Sequence, residues 1–134
     1  MSERLFLDTN VFIASITKEK ERVEVAKELL NSDYEFYTSL LNLLELRTVL
    51  AKKKRLEQSQ VEKAIEQISE EVEIFVHETS DVLATNKLQQ ETLLYPMDCL
   101  ILAAAKDADA ELVTFDGEML DNGATAPSEI LNEE

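Results

Sequence analysis

Leu5-Phe6-Leu7-Asp8-Thr9-Asn10 is an apolar run that stops at three polar residues, and the pattern returns at Leu112-Val113-Thr114-Phe115-Asp116-Gly117. Each run reads as a short strand, Arg4 to Leu7 and Leu112 to Phe115, that delivers an aspartate one step past its end. After the first, the chain resumes as Val11-Phe12-Ile13 and enters a helix near Lys18 to Asn31, with Val23, Ala26, Leu29 and Leu30 inward.

Between the two runs, strands and helices alternate. Tyr34 to Tyr37 is a second strand, and Thr38 or Ser39 can cap a helix that continues to about Lys53. That helix carries leucine nearly all round, which predicts burial and makes Glu45 and Arg47 conspicuous. A helix from Ser59 to about Glu70 precedes a strand at Val72 to Val76, and Thr79 and Ser80 open a helix to about Leu93. Pro96 forces a turn, after which Asp98 stands at the start of a helix from Cys99 to Ala108. One more short strand is expected beyond Asn122. The alternation predicts an α/β fold, a three-layer sandwich with a central, mostly parallel sheet of four or five strands flanked by helices. Ligands of such sheets bind outside the carboxyl ends of the strands, where Asp8 and Asp116 are expected.

Composition narrows the class. The 134 residues hold 45% hydrophobic side chains, two Gly and two Pro, which fits one domain spanning residues 1–134 with no linker or repeat. Apolar stretches such as Leu100 to Ala105 fall short of the roughly 20 residues a bilayer span needs. With no signal sequence in evidence at the N-terminus, the expected location is the cytoplasm. Cys99 is the only cysteine and reads as a small buried hydrophobe, which excludes an internal disulfide. His77, the only histidine, reads as a surface or boundary residue outside the mechanism. Twenty-eight acidic against 13 basic residues give a net charge of -15, a balance that opposes contact with phosphate backbones. Glu-rich helix faces such as Glu62, Glu66, Glu70 and Glu71 account for much of it as solvated surface.

Asp8, Glu45, Asp98 and Asp116 are the candidates for chemistry. Each has an ordinary alternative: Asp98 could cap its helix, Asp116 and Asp8 could begin turns, and Glu45 could reach solvent. Taken together they stand at one edge of the inferred sheet. Two carboxylates about 4 Å apart repel by roughly 4 kcal/mol even at an effective dielectric near 20, so such a cluster takes up protons or binds cations. Oxygen ligands without His or Cys select Mg²⁺ or Mn²⁺. These ions generate a hydroxide-like nucleophile and neutralise charge on phosphate oxygens, which describes phosphodiester hydrolysis. Thr114, on the same side of its strand as Asp116, can lend a hydroxyl.

The ordered set Leu7-Asp8-Thr9-Asn10-Val11-Phe12-Ile13, Glu45 in a Leu-rich second helix, Met97-Asp98-Cys99-Leu100-Ile101-Leu102-Ala103-Ala104-Ala105 and Leu112-Val113-Thr114-Phe115-Asp116 resembles the PIN domain, most closely the small VapC-type toxins. The resemblance covers essentially the whole chain. It implies that Asp8, Glu45, Asp98 and Asp116 bind Mg²⁺ or Mn²⁺, with Asn10 and Thr114 in support. It also implies endonucleolytic cleavage of single-stranded RNA, a cognate antitoxin protein and a homodimer. The alternative is a catalytically weak PIN-like RNA-processing or protein-interaction module. Gly117 departs from the family by standing where many relatives carry a basic or polar residue, and Glu118 to Asp121 adds acidity. Lys52-Lys53-Lys54-Arg55 is the one dense basic run, placed either to complement the helix dipole or to meet RNA. A haloacid-dehalogenase-type phosphatase would need a second Asp where Asn10 stands, and a receiver-like module would need a Lys after a late strand; neither is present.

Overall fold

β1 (Arg4–Leu7) places Leu5, Phe6 and Leu7 wholly out of solvent. Successive side chains of a strand point to opposite faces. Leu5 and Leu7 join Val11, Leu29, Leu46 and Leu50 in one core cluster, and Phe6 joins Cys99, Ile101, Leu102 and Leu112 in another. A strand apolar on both faces belongs in a parallel sheet covered on both sides. The computed structural model, which describes residues 3–133, has that arrangement. β2 (Glu35–Ser39), β3 (Glu73–Phe75) and β4 (Glu111–Val113) complete an all-parallel sheet of four strands in the order β3-β2-β1-β4.

Among the described residues eight α-helices flank it: α1 (Thr9–Ile16), α2 (Val23–Leu30), α3 (Leu40–Thr48), α4 (Gln58–Glu71), α5 (Thr79–Thr92), α6 (Pro96–Asp107), α7 (Gly117–Leu120) and α8 (Pro127–Asn132). The first cluster draws on α1 to α4 and α8, the second on α6 and Met119 of α7, so the predicted three layers are present. The chain winds from β1 outward to β3, then crosses back to lay β4 on the other side of β1. In open parallel sheets such a reversal marks where ligands bind, here beyond the carboxyl ends of β1 and β4.

Several boundaries differ from expectation. Asp8-Thr9-Asn10 is not a free turn. Asp8 accepts a hydrogen bond from the Thr9 N–H and caps α1, so Val11-Phe12-Ile13 is already helical. The helix expected from Lys18 begins only at Val23, because Lys18 and Glu21 adopt left-handed backbone at φ 55° and 74° between α1 and α2. Pro96 opens α6 as its first residue instead of ending the turn before it. The Leu-rich α3 is less buried than its sequence implies, with Leu44 56% exposed, and it passes into a π-helical turn at Val49–Lys53. The expected strand beyond Asn122 is a single parallel bridge from Thr125 to Val113, followed by α8. No helix among the described residues is long and apolar enough to cross a membrane.

Candidate metal centre at the carboxyl edge of the sheet

Leu7 pairs with Val113, and the Asp8 N–H donates to the Val113 carbonyl at 3.0 Å, which sets the end of β1 beside the segment leaving β4. Both oxygens of Asp8 are held. Oδ1 accepts from the Thr9 N–H at 2.9 Å and from Asn42 Nδ2 at 3.1 Å, and Oδ2 accepts from the Thr114 hydroxyl at 2.8 Å. Thr114 is fully buried, and its oxygen also accepts from Asn10 Nδ2 at 2.9 Å and from the Asp116 N–H at 3.0 Å. Asn10 closes the loop by accepting from the Phe115 N–H at 3.1 Å. The two supporting residues thus lock the β4–α7 segment onto the start of α1.

Asp116 lies three residues past β4, not one, and caps α7 by accepting from the Met119 N–H at 3.0 Å. Asp98 sits in the first turn of α6, but Tyr95 holds the capping position, so capping does not explain the carboxylate. Glu45 is exposed one turn beyond Asn42 on α3. Burial holds the Asp8 carboxyl above its usual range against the hydrogen bonds from Thr114 and Thr9, with Glu45 and Asp116 adding to the rise. Asp98 is raised for the same first reason, and Asp8, Asp116, Glu45 and Glu118 all contribute. Asp8 thus feels the charges of Glu45 and Asp116, and Asp98 those of all three other predicted carboxylates.

Four carboxylates supported by amide and hydroxyl oxygens, with no imidazole or thiolate, fit a hard divalent cation. As they stand, no three acidic, His or Cys side chains among the described residues are drawn close enough to hold an ion.

Two features escaped sequence reasoning. Asn42, 2% exposed, reads from sequence as one polar residue in a leucine helix, yet it contacts Asp8 directly. His77, expected at a boundary, has its Nε2 2.6 Å from Ser39 Oγ. A Ser followed by Asn at the third helical position was the only available signal, as a capping box. Of the basic run, Lys54 pairs with Glu19 at 3.7 Å, while Lys53 lines a groove of about 380 Å³ with Leu41, Leu44, Glu45, Val49 and Met97.

Fold and edge together define a class: a parallel α/β domain whose topological switch point carries Asp8 and Asp116 just past the ends of β1 and β4. The PIN domain family model matches residues 5–124, and the chain belongs to that family. Solved structures agree in fold. The sarcin-ricin loop cleaving toxin VapC20 of Mycobacterium tuberculosis is 21% identical with a TM-score of 0.76, over 90% of this chain and 96% of that one. A toxin-antitoxin complex from Klebsiella pneumoniae contains a chain 24% identical with a TM-score of 0.73, over 92% and 97%. VapBC2 from Rickettsia felis, bound to a DNA fragment from its promoter, gives 21%, 0.67, 92% and 96%. Comparison with curated proteins gives no match.

Proposed function

We propose that this protein is a Mg²⁺- or Mn²⁺-dependent endoribonuclease that cleaves single-stranded RNA, the toxin of a toxin-antitoxin pair. The observation that carries the reading is the junction at the carboxyl ends of β1 and β4, where one buried Thr114 hydroxyl donates to Asp8 Oδ2 at 2.8 Å and accepts from the Asp116 N–H at 3.0 Å; the rise of Asp8 and Asp98 by burial and neighbouring charge agrees with it. Carboxyl groups raised by burial and by acidic neighbours at a ligand-binding edge gain from a divalent cation there. Asp8, Glu45, Asp98 and Asp116 are the residues that would hold it. When bound, such an ion activates water and neutralises charge developing on the phosphate.

The chain's own residues do the rest. Thr114 and Asn42 fix the Asp8 carboxylate through both oxygens, and Asn10 holds Thr114. Asp116, anchored to the Met119 N–H through Oδ2, retains Oδ1 for a ligand. Lys53, which lines the same groove as Glu45, is the cation that would meet a phosphate in a protein of net charge -15. The RNA substrate draws support from the neighbour that cleaves the sarcin-ricin loop, and a protein antitoxin from the neighbours solved as toxin-antitoxin complexes. The groove by Glu45, walled by Leu41, Leu44 and Met97, is an apolar surface for a partner to cover. Homodimerisation rests on family resemblance, with the cytoplasm as the site of action.

The test is cleavage of fluorescent single-stranded RNA by purified protein with Mn²⁺, beside Asp8→Asn and Asp116→Asn. Loss of cleavage in both variants, with calorimetric Mn²⁺ binding by the parent alone, is the expected result. A parent that neither binds Mn²⁺ nor cuts RNA defeats it. The second reading, a binding module with little turnover, is favoured by the spread of the carboxylates among the described residues, and that negative outcome would select it.

A further inference from the structure

A hydrogen-bonded path runs behind the acidic edge. Asn42 Oδ1 accepts from the Ser39 N–H at 3.2 Å, while Nδ2 donates to Asp8 Oδ1 at 3.1 Å and to Thr9 Oγ1 at 2.8 Å. Ser39 Oγ accepts from the Leu41 N–H at 3.0 Å and lies 2.6 Å from His77 Nε2. His77 follows β3, where Phe75 pairs with Ser39, and the Phe75 ring centroid lies 5.0 Å from that of the imidazole. Its Nδ1 is buried without a partner.

We propose that His77 is a positioning residue for Asp8, acting through Ser39 and Asn42. The inference rests on the assignment of Asp8 to the metal centre. The Ser39 hydroxyl is fixed between the Leu41 N–H and the imidazole, which seats the first turn of α3. Asn42 is the third residue of that turn, and its amide has one permitted orientation. Turned over, it would set its oxygen against the Asp8 carboxylate and its NH₂ against the Ser39 N–H. Losing the imidazole frees the hydroxyl, loosens the cap and releases the amide from Asp8. Hydrogen bonds behind metal ligands tune affinity because they fix the ligand's direction.

The imidazole is suited to a fixed neutral role. Burial lowers its pKa, and Asp81 opposes the shift. The charged groups lining the small cavity with it are Asp81 of α5 and Asp107 of α6. With its proton on Nε2 the ring donates to Ser39 and leaves only a lone pair at Nδ1. A second proton would place a buried N–H there with no acceptor.

The experiment compares Mn²⁺ affinity by calorimetry at pH 7.5 in the parent, Asn42→Leu, His77→Leu and His77→Gln, whose amide nitrogen reaches the Nε2 position. Asn42→Leu should weaken binding about tenfold and His77→Leu about threefold, the second smaller because it acts one partner further back. His77→Gln should stay near the parent, a rescue that bulk or packing alone would not give. Unchanged affinity in His77→Leu beside a weakened Asn42→Leu overturns the proposal. A second arm needs neither metal nor a mutated core. In the metal-free parent, the Asn42 side-chain NH₂ signals should move with the titration midpoint of the His77 ring, and that movement should vanish in His77→Gln. Asn42 signals indifferent to His77 overturn the path even where Mn²⁺ binds. Failure of the parent to bind Mn²⁺ defeats the metal centre instead, and the titration still decides the path.

Discussion

The Thr114 hydroxyl donates to Asp8 Oδ2 at 2.8 Å and accepts from Asn10 Nδ2 and the Asp116 N–H, so one buried oxygen ties together the segments after β1 and β4. Replacing it with the isosteric valine leaves the Asn10 and Asp116 donors unpaired. Thr114→Val should lower unfolding free energy by about 2 kcal/mol in urea titration at pH 7. A loss under about 0.5 kcal/mol would mean the oxygen is not the junction described.

Asp98→Asn should stabilise the metal-free protein at neutral pH. Burial and then its acidic neighbours raise the Asp98 carboxyl, so the folded state holds its proton more tightly than the unfolded chain. The associated stability is fully present below about pH 4 and is lost as pH rises through the raised native value. Scanning calorimetry should show a higher Tm for the variant at pH 7, by about a degree or two because the group is partly solvated. The gap should close near pH 4, and saturating Mn²⁺ should stabilise the parent but not the variant. A lower Tm for the variant at pH 7 without metal would contradict the repulsion.

Asp116 combines a structural and a chemical duty that two substitutions can separate. Asp116→Asn keeps an oxygen for the Met119 N–H, so stability should stay within about 0.5 kcal/mol while Mn²⁺ binding falls. Asp116→Ala should lose the cap as well, at about 1 kcal/mol. Equal stability of the two variants would show that the cap contributes nothing.

The uneven burial of α3 gives a sharp contrast between residues two apart. Leu46 is fully buried and Leu44 is 56% exposed. Leu46→Ala should cost about 2–5 kcal/mol, and Leu44→Lys should leave chemical denaturation within about 0.5 kcal/mol of the parent. Comparable losses would place both in the core.

The two strand-to-aspartate junctions were legible in the sequence because Leu5-Phe6-Leu7 and Leu112-Val113 are apolar on both faces, a property no surface segment needs. Their immediate surroundings were less so. Asp8-Thr9-Asn10 offers the same polar atoms to a turn or to a helix start, and the choice was made by where Val11, Phe12 and Ala14 could be buried. The leucines of α3 suggest full burial, but Leu40 and Leu44 stay exposed at the rim, and composition cannot report which face the sheet covers. Asn42 and His77 were invisible for a different reason. Their significance lies in partners brought by β1 and β2, and a single polar residue does not announce a distant one.

The strand order has a consequence for the making of the protein. Synthesis delivers Asp8 and Glu45 long before β4 and Asp98 shortly before it, yet β4 is the strand that docks against β1 and brings Thr114 and Asp116 to Asp8. A growing chain stopped short of residue 111 has most of the acidic groups and none of the clasp. The last strand in the sequence is thus the one that closes the edge begun by the first.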